Sequence, residues 1–150
     1  MRGIRFHYLI PSLYYTLSFV CVCGLLWQDI DFNESTLTVE RAMVNSKGKW
    51  ILDSTRTKSS ERTIPLGPTI IKLLKEHHFW IKKNKLFYGP NYIDSNHVCV
   101  KESGELLTPS SMKYNTRKLQ ESLEIPFNFH SLRLTHATML MENGAKIKDI

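Results

Sequence analysis

Phe127-Asn-Phe-His-Ser-Leu-Arg-Leu-Thr-His-Ala-Thr138 is the stretch on which the reading of this chain turns. It places His130 and Arg133 three residues apart at the start of an apolar-periodic run. The pattern predicts a helix that starts at His130 or Ser131 and stops at Asn143-Gly144. On a helix, residues three apart share one face, about one turn from each other. An imidazole and a guanidinium converging there suit a phosphate. Arginine offers two parallel donors to two oxygens, and histidine donates a hydrogen bond or carries a proton. The H-x-x-R spacing alone says little, because four residue types at short spacing recur by chance. A second basic segment precedes it here, Thr57-Lys-Ser-Ser-Glu-Arg-Thr-Ile-Pro-Leu66.

With Asp29-Ile-Asp-Phe32 and Asn143-Gly-Ala-Lys-Ile-Lys-Asp-Ile150, these two segments resemble the catalytic domain of tyrosine recombinases. Integrases of temperate phages and conjugative transposons are the most similar members. The resemblance runs from about Gly24 to Ile150. It implies an α+β, mostly helical DNA breaking-rejoining domain with a small antiparallel sheet, incomplete at both ends. It divides the chain into a non-matching apolar segment, 1–22, and a partial catalytic domain, 23–150.

The resemblance also implies a chemistry. Two arginines clamp the non-bridging oxygens of the scissile phosphodiester and stabilise charge in a pentacovalent transition state. Arg133 matches the second of them, and His130 matches the histidine that supports proton transfer nearby. Lys58 matches the lysine that protonates the leaving 5′ oxygen, a role open to an ammonium whose pKa falls near other cations. Read from the residues alone, Arg56, Lys58 and Arg62 equally form a phosphate-binding patch. The family's covalent 3′-phosphotyrosine conserves bond energy, so no cofactor is expected, and no metal. DNA is the implied partner. The parent enzymes assemble as oligomers on it, which is not expected of this chain by itself. A bacterial cytoplasmic location follows.

Departures from the family pattern set a further expectation. Counting back from Gly24, Ser18 and Cys21 stand where the family has its first arginine and a glutamate. The six tyrosines all precede His130, so none matches the nucleophile. Leu134 stands where a second histidine is common. The family's L-G-H segment after K-D-I, and a further helix packed on the core, have no counterpart. The chain is therefore expected to be catalytically dead. Residues 1–22 are expected to be an out-of-frame reading of a lost helix. Apolar faces on the helices of residues 109–123 and 131–143 are expected to be partly uncovered.

Composition is consistent with this and excludes little. The 150 residues are enough for one domain with a real core. A hydrophobic share of 42% is that of a globular chain, and a net charge of +6 favours a polyanionic partner. Cys21, Cys23 and Cys99 show no zinc spacing and read as free thiols. Two other readings remain open. One is a residual DNA-binding module. The other is a small membrane protein anchored by residues 8–27, a run with no charged residue. Pro11 and a centre rich in Ser, Thr and Tyr argue against a membrane span.

Along the chain, Ser35–Val44 alternates Leu37, Val39 and Arg41 against Thr38, Glu40 and Ala42, and reads as a strand. Asn45-Ser-Lys-Gly48 is a turn, Lys49–Leu52 a second strand, and Glu61–Leu66 a third, which Pro65 restricts to an end or an edge. Thr55–Ser60 is expected to be the tip between the last two. Pro68 opens a helix to about Lys83, with Ile70, Ile71, Leu74 and His78 or Phe79 inward. Ser103-Gly104 signals a hairpin between His97–Val100 and Glu105–Leu107. Thr108-Pro109 caps a helix to about Leu123 with Met112, Leu119 and Leu123 inward. Another helix is expected from Lys146.

Overall fold

The computed structural model describes residues 17–54, 61–124 and 129–144. In the last two helices, the side chains of Leu119, Leu123, Phe129, His130, Leu132, Arg133 and His136 lie outside the described part. So do the expected strand-to-strand tip at Thr55–Ser60 and the expected final helix from Lys146.

A short helix α1, Phe19–Cys23, leads into a 3-10 turn at Trp27–Asp29 and strand β1, Ile30–Asp31. Strands β2, Thr36–Val39, β3, Arg41–Ser46, and β4, Lys49–Ser54, follow, then β5, Arg62–Pro65. Three longer helices complete the described chain: α2, Pro68–Tyr88, α3, Pro109–Leu123, and α4, Phe129–Glu142. All strand pairs are antiparallel. The fold is that expected, α+β with helices dominating.

The strands do not form one sheet. β1, β2 and β5 make a three-stranded sheet, and β3 pairs only with β4. The run read as a single strand from Ser35 to Val44 is broken at Glu40, where the chain leaves one sheet for the other. The alternation survives the break: Leu37, Val39 and Met43 are all buried. β4 and β5, expected to share a hairpin, lie in different sheets. Pro65 closes an edge strand, where its missing N–H costs no ladder bond. The β3–β4 turn uses Lys47 and Gly48, both at positive φ, as a two-residue hairpin requires.

The core gathers Leu17, Val22, Cys23 and Leu25 from the amino-terminal side with Leu37, Val39, Met43, Leu74, Val98 and Met112. Each such side chain stabilises the fold by about 1.5–3 kcal/mol through burial. Part of the uncharged run of residues 8–27 is thus core lining. Among the described residues, no helix is long and apolar enough to cross a membrane. Gly24 follows α1 directly, and a Cβ there would meet the backbone of Ala42 and Met43 at 3.2 Å. A glycine is what lets α1 lie against β3.

Asp29 holds the joint between these parts. Its carboxylate accepts the Leu26 N–H at 2.9 Å and pairs with the Arg41 guanidinium at the start of β3. Residues 96–98 are latched to the same turn. Trp27 N–H donates to the Asn96 carbonyl at 3.0 Å, and Val98 N–H to the Leu25 carbonyl at 2.9 Å. The expected strands at 97–100 and 105–107 are reduced to isolated bridges, Leu26 with His97 and Val100 with Leu106. The turn between them is real. Gly104 has φ 87°, and a Cβ there would collide with the Ile93 carbonyl.

Helix α2 runs to Tyr88, beyond the expected Lys83, because only Gly89 at φ 52° stops it. Its inner face is Ile71, Leu74 and His77 rather than His78 or Phe79; Phe79 is 69% exposed. His77 is buried because its ring finds the Val98 carbonyl at 2.8 Å. Thr108 caps α3 by accepting the Ser111 N–H, and Pro109 occupies the first turn. Met112 faces inward as expected, joined by Thr116, whose hydroxyl donates to the Met112 carbonyl. On α4, Leu134, Met139 and Met141 are exposed.

Two outcomes follow. Asp29→Ala leaves the half-buried Arg41 with only the exposed Glu40 carboxylate, 3.4 Å away, and should cost up to about 3 kcal/mol, with Asp29→Asn costing less; urea denaturation reads both. Burial holds the His77 pKa down, to about 4 from 6.5, against the opposing pull of the Val98 carbonyl. The unfolded chain then binds this proton more readily, so His77 contributes full stability above about pH 6.5 and loses it as pH falls through about 4. The thermal midpoint should drop across that window, and drop less in a His77→Gln variant.

Candidate nucleic-acid interface

Arg62 is the first residue of β5. It sits opposite buried Val39 and is itself exposed. The register that places it there is held at both ends. Thr38 Oγ1 and Thr63 Oγ1 lie 3.3 Å apart, and Leu66 N–H donates to the Ser35 carbonyl at 2.7 Å. Arg62 therefore emerges at the end of an edge strand, directly after residues 55–60. Arg56 and Lys58 fall within that segment and lie outside the described residues.

The H-x-x-R pair lies on α4, which begins one residue ahead of His130. Position 130 is in the first turn and 133 in the second. Their side chains are outside the described part, but the helical register is not. Positions 130, 133, 137 and 140 form one row, at the spacing of a helix face that meets a neighbour. Ala137 and Leu140 in that row are half-buried, whereas Ser131, Thr135 and Thr138 on the far side, and Leu134 at its border, are exposed. The Thr135 and Thr138 hydroxyls turn back to the Ser131 and Leu134 carbonyls at 2.9 Å. Positions 130 and 133 thus lie one turn apart in the helical register of α4. Leu134, where the resemblance expects a second histidine, is i+4 from position 130, at the border of that row, and is 66% exposed.

Elsewhere, burial or backbone hydrogen bonds set the state of several described titratable groups. Burial pushes the Cys23 thiol up to about 12 and the Cys99 thiol higher still. Both are free thiols that remain protonated at neutral pH. Two backbone N–H groups, of Glu34 and Asn33, hold Asp31 below the usual carboxylate range and shape the turn after β1. Three features escaped sequence reasoning: the Asp29–Arg41 pair, the His77 anchor, and the stacking of Trp27 on His78 at 4.5 Å. The first had a signal. Arg41 alternates in phase with Leu37 and Val39, so it had to face inward and needed a carboxylate.

Residues 21–150 match the phage integrase family. The chain belongs to that family. The integrase domain is 32% identical over 140 residues to a tyrosine recombinase XerC-like protein of Caldanaerobacter subterraneus subsp. tengcongensis, covering 85% of this chain and 36% of that protein. Its fold is similar to that of the Tn1549 transposon integrase. A complex of that integrase with transposon right end DNA superposes with a TM-score of 0.73 at 22% identity, covering 95% of this chain and 48% of that one. A complex of it with circular intermediate DNA gives 0.77 at 19% identity, covering 95% and 49%. The XerA recombinase gives 0.63 at 20% identity, covering 98% and 47%. The integrase domain here spans about half the length of these solved chains. The α+β tyrosine-recombinase catalytic fold implied by the motifs is therefore the fold of this chain.

Because Leu134 projects mostly into solvent, Leu134→His should be nearly neutral, within about 0.5 kcal/mol. Urea denaturation of the two forms checks this.

Proposed function

We propose that this integrase domain binds DNA as part of a site-specific recombinase, through the phosphates of a strand to be broken and rejoined. The single observation that carries this reading is the family match across residues 21–150, with both members of the H-x-x-R pair in one row at the start of α4. The Tn1549 integrase complexes with DNA support DNA as the partner. Arg133 takes two non-bridging oxygens of one phosphate, and His130 holds or moves a proton beside it. The first turn of a helix, with its unsatisfied N–H groups and positive dipole end, favours an anion at this place. Lys58 serves the leaving oxygen. Arg56 and Arg62 hold the flanking backbone, where contacts position the duplex without reading its sequence. A bacterial cytoplasmic setting belongs to the same reading.

The reading extends to what these 150 residues do by themselves. Ser18 and Cys21 stand at the positions that the resemblance gives to the first clamp arginine and the glutamate. Phosphoryl transfer here needs its cations and nucleophile together, and losses of members that act as a unit do not add. Without that arginine in the clamp, these residues contact a phosphate but lack part of the charge stabilisation that attack on it needs.

Binding to duplex DNA should be weak and alike for different sequences, and it should fall steeply with added salt as counterions are released. Arg133→Ala should weaken it similarly for every sequence. Fluorescence anisotropy at two salt concentrations measures this, and a strong preference for one duplex at physiological salt contradicts it. On a nicked suicide substrate bearing the parent element's attachment site, a denaturing gel should show no covalent protein–DNA adduct. An adduct that disappears when one of the six tyrosines is changed to Phe overturns the inactive reading.

A further inference from the structure

Helix α2 has a second face that the phosphate-binding row on α4 does not use. Lys75, Phe79, Lys82 and Leu86 follow at i, i+4, i+7 and i+11, so they form one stripe. That stripe continues from buried Ile71, one turn before Lys75, and lies roughly opposite His77. Phe79 is 69% and Leu86 85% exposed, and both lysines are exposed. At its amino-terminal end the stripe borders a shallow pocket of about 330 Å³ lined by Phe32, Lys75, His78, Phe79 and Lys82. The pocket is built rather than incidental. Trp27 stacks on His78 at 4.5 Å and on Phe32 at 6.4 Å, which fixes two of its walls. The Lys75 ammonium stands 6.0 Å over the Phe32 ring. Burial, then the nearby Lys82 charge, lowers the His78 pKa, so the imidazole stays neutral between two ammonium groups.

The chemistry selects an occupant. Helix α2 carries five lysines against one glutamate, so its charge asks for an anionic partner. Lys75 and Lys82 are separated by about 10 Å of helix rise, two turns, with Phe79 between them. That ladder of cation, ring, cation complements a partner helix with two carboxylates seven residues apart and a large apolar side chain between. The pocket has room for one such side chain. Exposed Phe79 and Leu86 gain from an apolar anchor, whereas duplex DNA would strip water from its phosphates to cover them. We infer that the Lys75–Phe79–Lys82–Leu86 face of α2, with its pocket against Phe32, is a docking site for an acidic amphipathic helix of a partner protein.

The test uses the whole 150-residue chain and a fluorescein-labelled, end-blocked helical peptide with Glu seven residues apart flanking Leu and Trp. A peptide of the same composition with that spacing broken, and a labelled single-stranded oligonucleotide, are the comparisons. Saturable binding to the spaced peptide is expected, weakened about tenfold or more by Lys75→Glu with Lys82→Glu, and likewise by Phe79→Ala. A peptide with lysines in place of its glutamates should regain affinity for the charge-reversed variant. These side chains are exposed, so an unchanged thermal midpoint should accompany each loss. The inference is overturned by no saturable binding, by equal binding of the broken-spacing peptide, or by affinity indifferent to the three substitutions. It is also overturned if the oligonucleotide binds this face more tightly than the peptide, which would make it a nucleic-acid surface. Duplex binding through Arg133 is measured separately, so either reading can fail without the other.

Discussion

The buried carboxylate of Asp29 is the interaction on which the described architecture depends. It accepts a backbone N–H from Leu26 and neutralises Arg41, so one side chain ties the turn after α1 to the first residue of β3. Arg41 is also the point where the chain has just left the three-stranded sheet for the two-stranded one. An arginine facing a core at such a junction is tolerable only when its charge is paired, since an unpaired buried charge costs several kcal/mol. The pair therefore makes the division of the strands into two sheets compatible with a continuous inner face of Leu37, Val39 and Met43.

Around that joint the aromatic side chains carry the link to α2. Trp27 lies against Phe32, His77 and His78, and His77 reaches across to the Val98 carbonyl. The segment 96–98 is in turn bonded to Leu25 and Trp27. Four pieces distant in sequence thus meet at one place. In this chain the Gly24-Leu-Leu-Trp-Gln-Asp-Ile-Asp segment is an architectural motif. Glycine allows close approach, tryptophan supplies the stacking surface, the first aspartate the ion pair, and the second the turn.

The site was legible to different depths at its two halves. The helix bearing His130 and Arg133 was expected to start at 130 or 131 and stop at Asn143-Gly144, and α4 is observed at Phe129–Glu142 with Gly144 at φ 86°. Periodicity and a left-handed glycine are local signals, so a sequence carries them plainly. The basic segment was legible as a motif, but the sheet behind it was not. β5 pairs with β2 across 25 residues, not with β4 across the short intervening segment. Strand pairing is a non-local choice, and alternation in one strand does not name its partner.

The same contrast holds for burial. The uncharged run of residues 8–27 left a membrane span open as a reading, despite Pro11 and its polar centre, because a segment enclosed by protein on all sides is apolar for the same physical reason as one enclosed by lipid. The packing of Leu17, Val22 and Leu25 among the strands distinguishes the two for the described part of that run. His77 was passed over in favour of His78 or Phe79, which continue the stripe of Ile70, Ile71 and Leu74 equally well, and only a carbonyl supplied from Val98 makes its burial affordable. Sequence alone determined the family, the starts of the three longer helices with the Thr108 and Gly144 caps, and the residue types able to hold a phosphate, since all of these rest on local spacing. Tertiary structure decided which strands pair, which polar groups find buried partners, and which face of α2 is left open, because each depends on what a distant segment brings within a few ångströms.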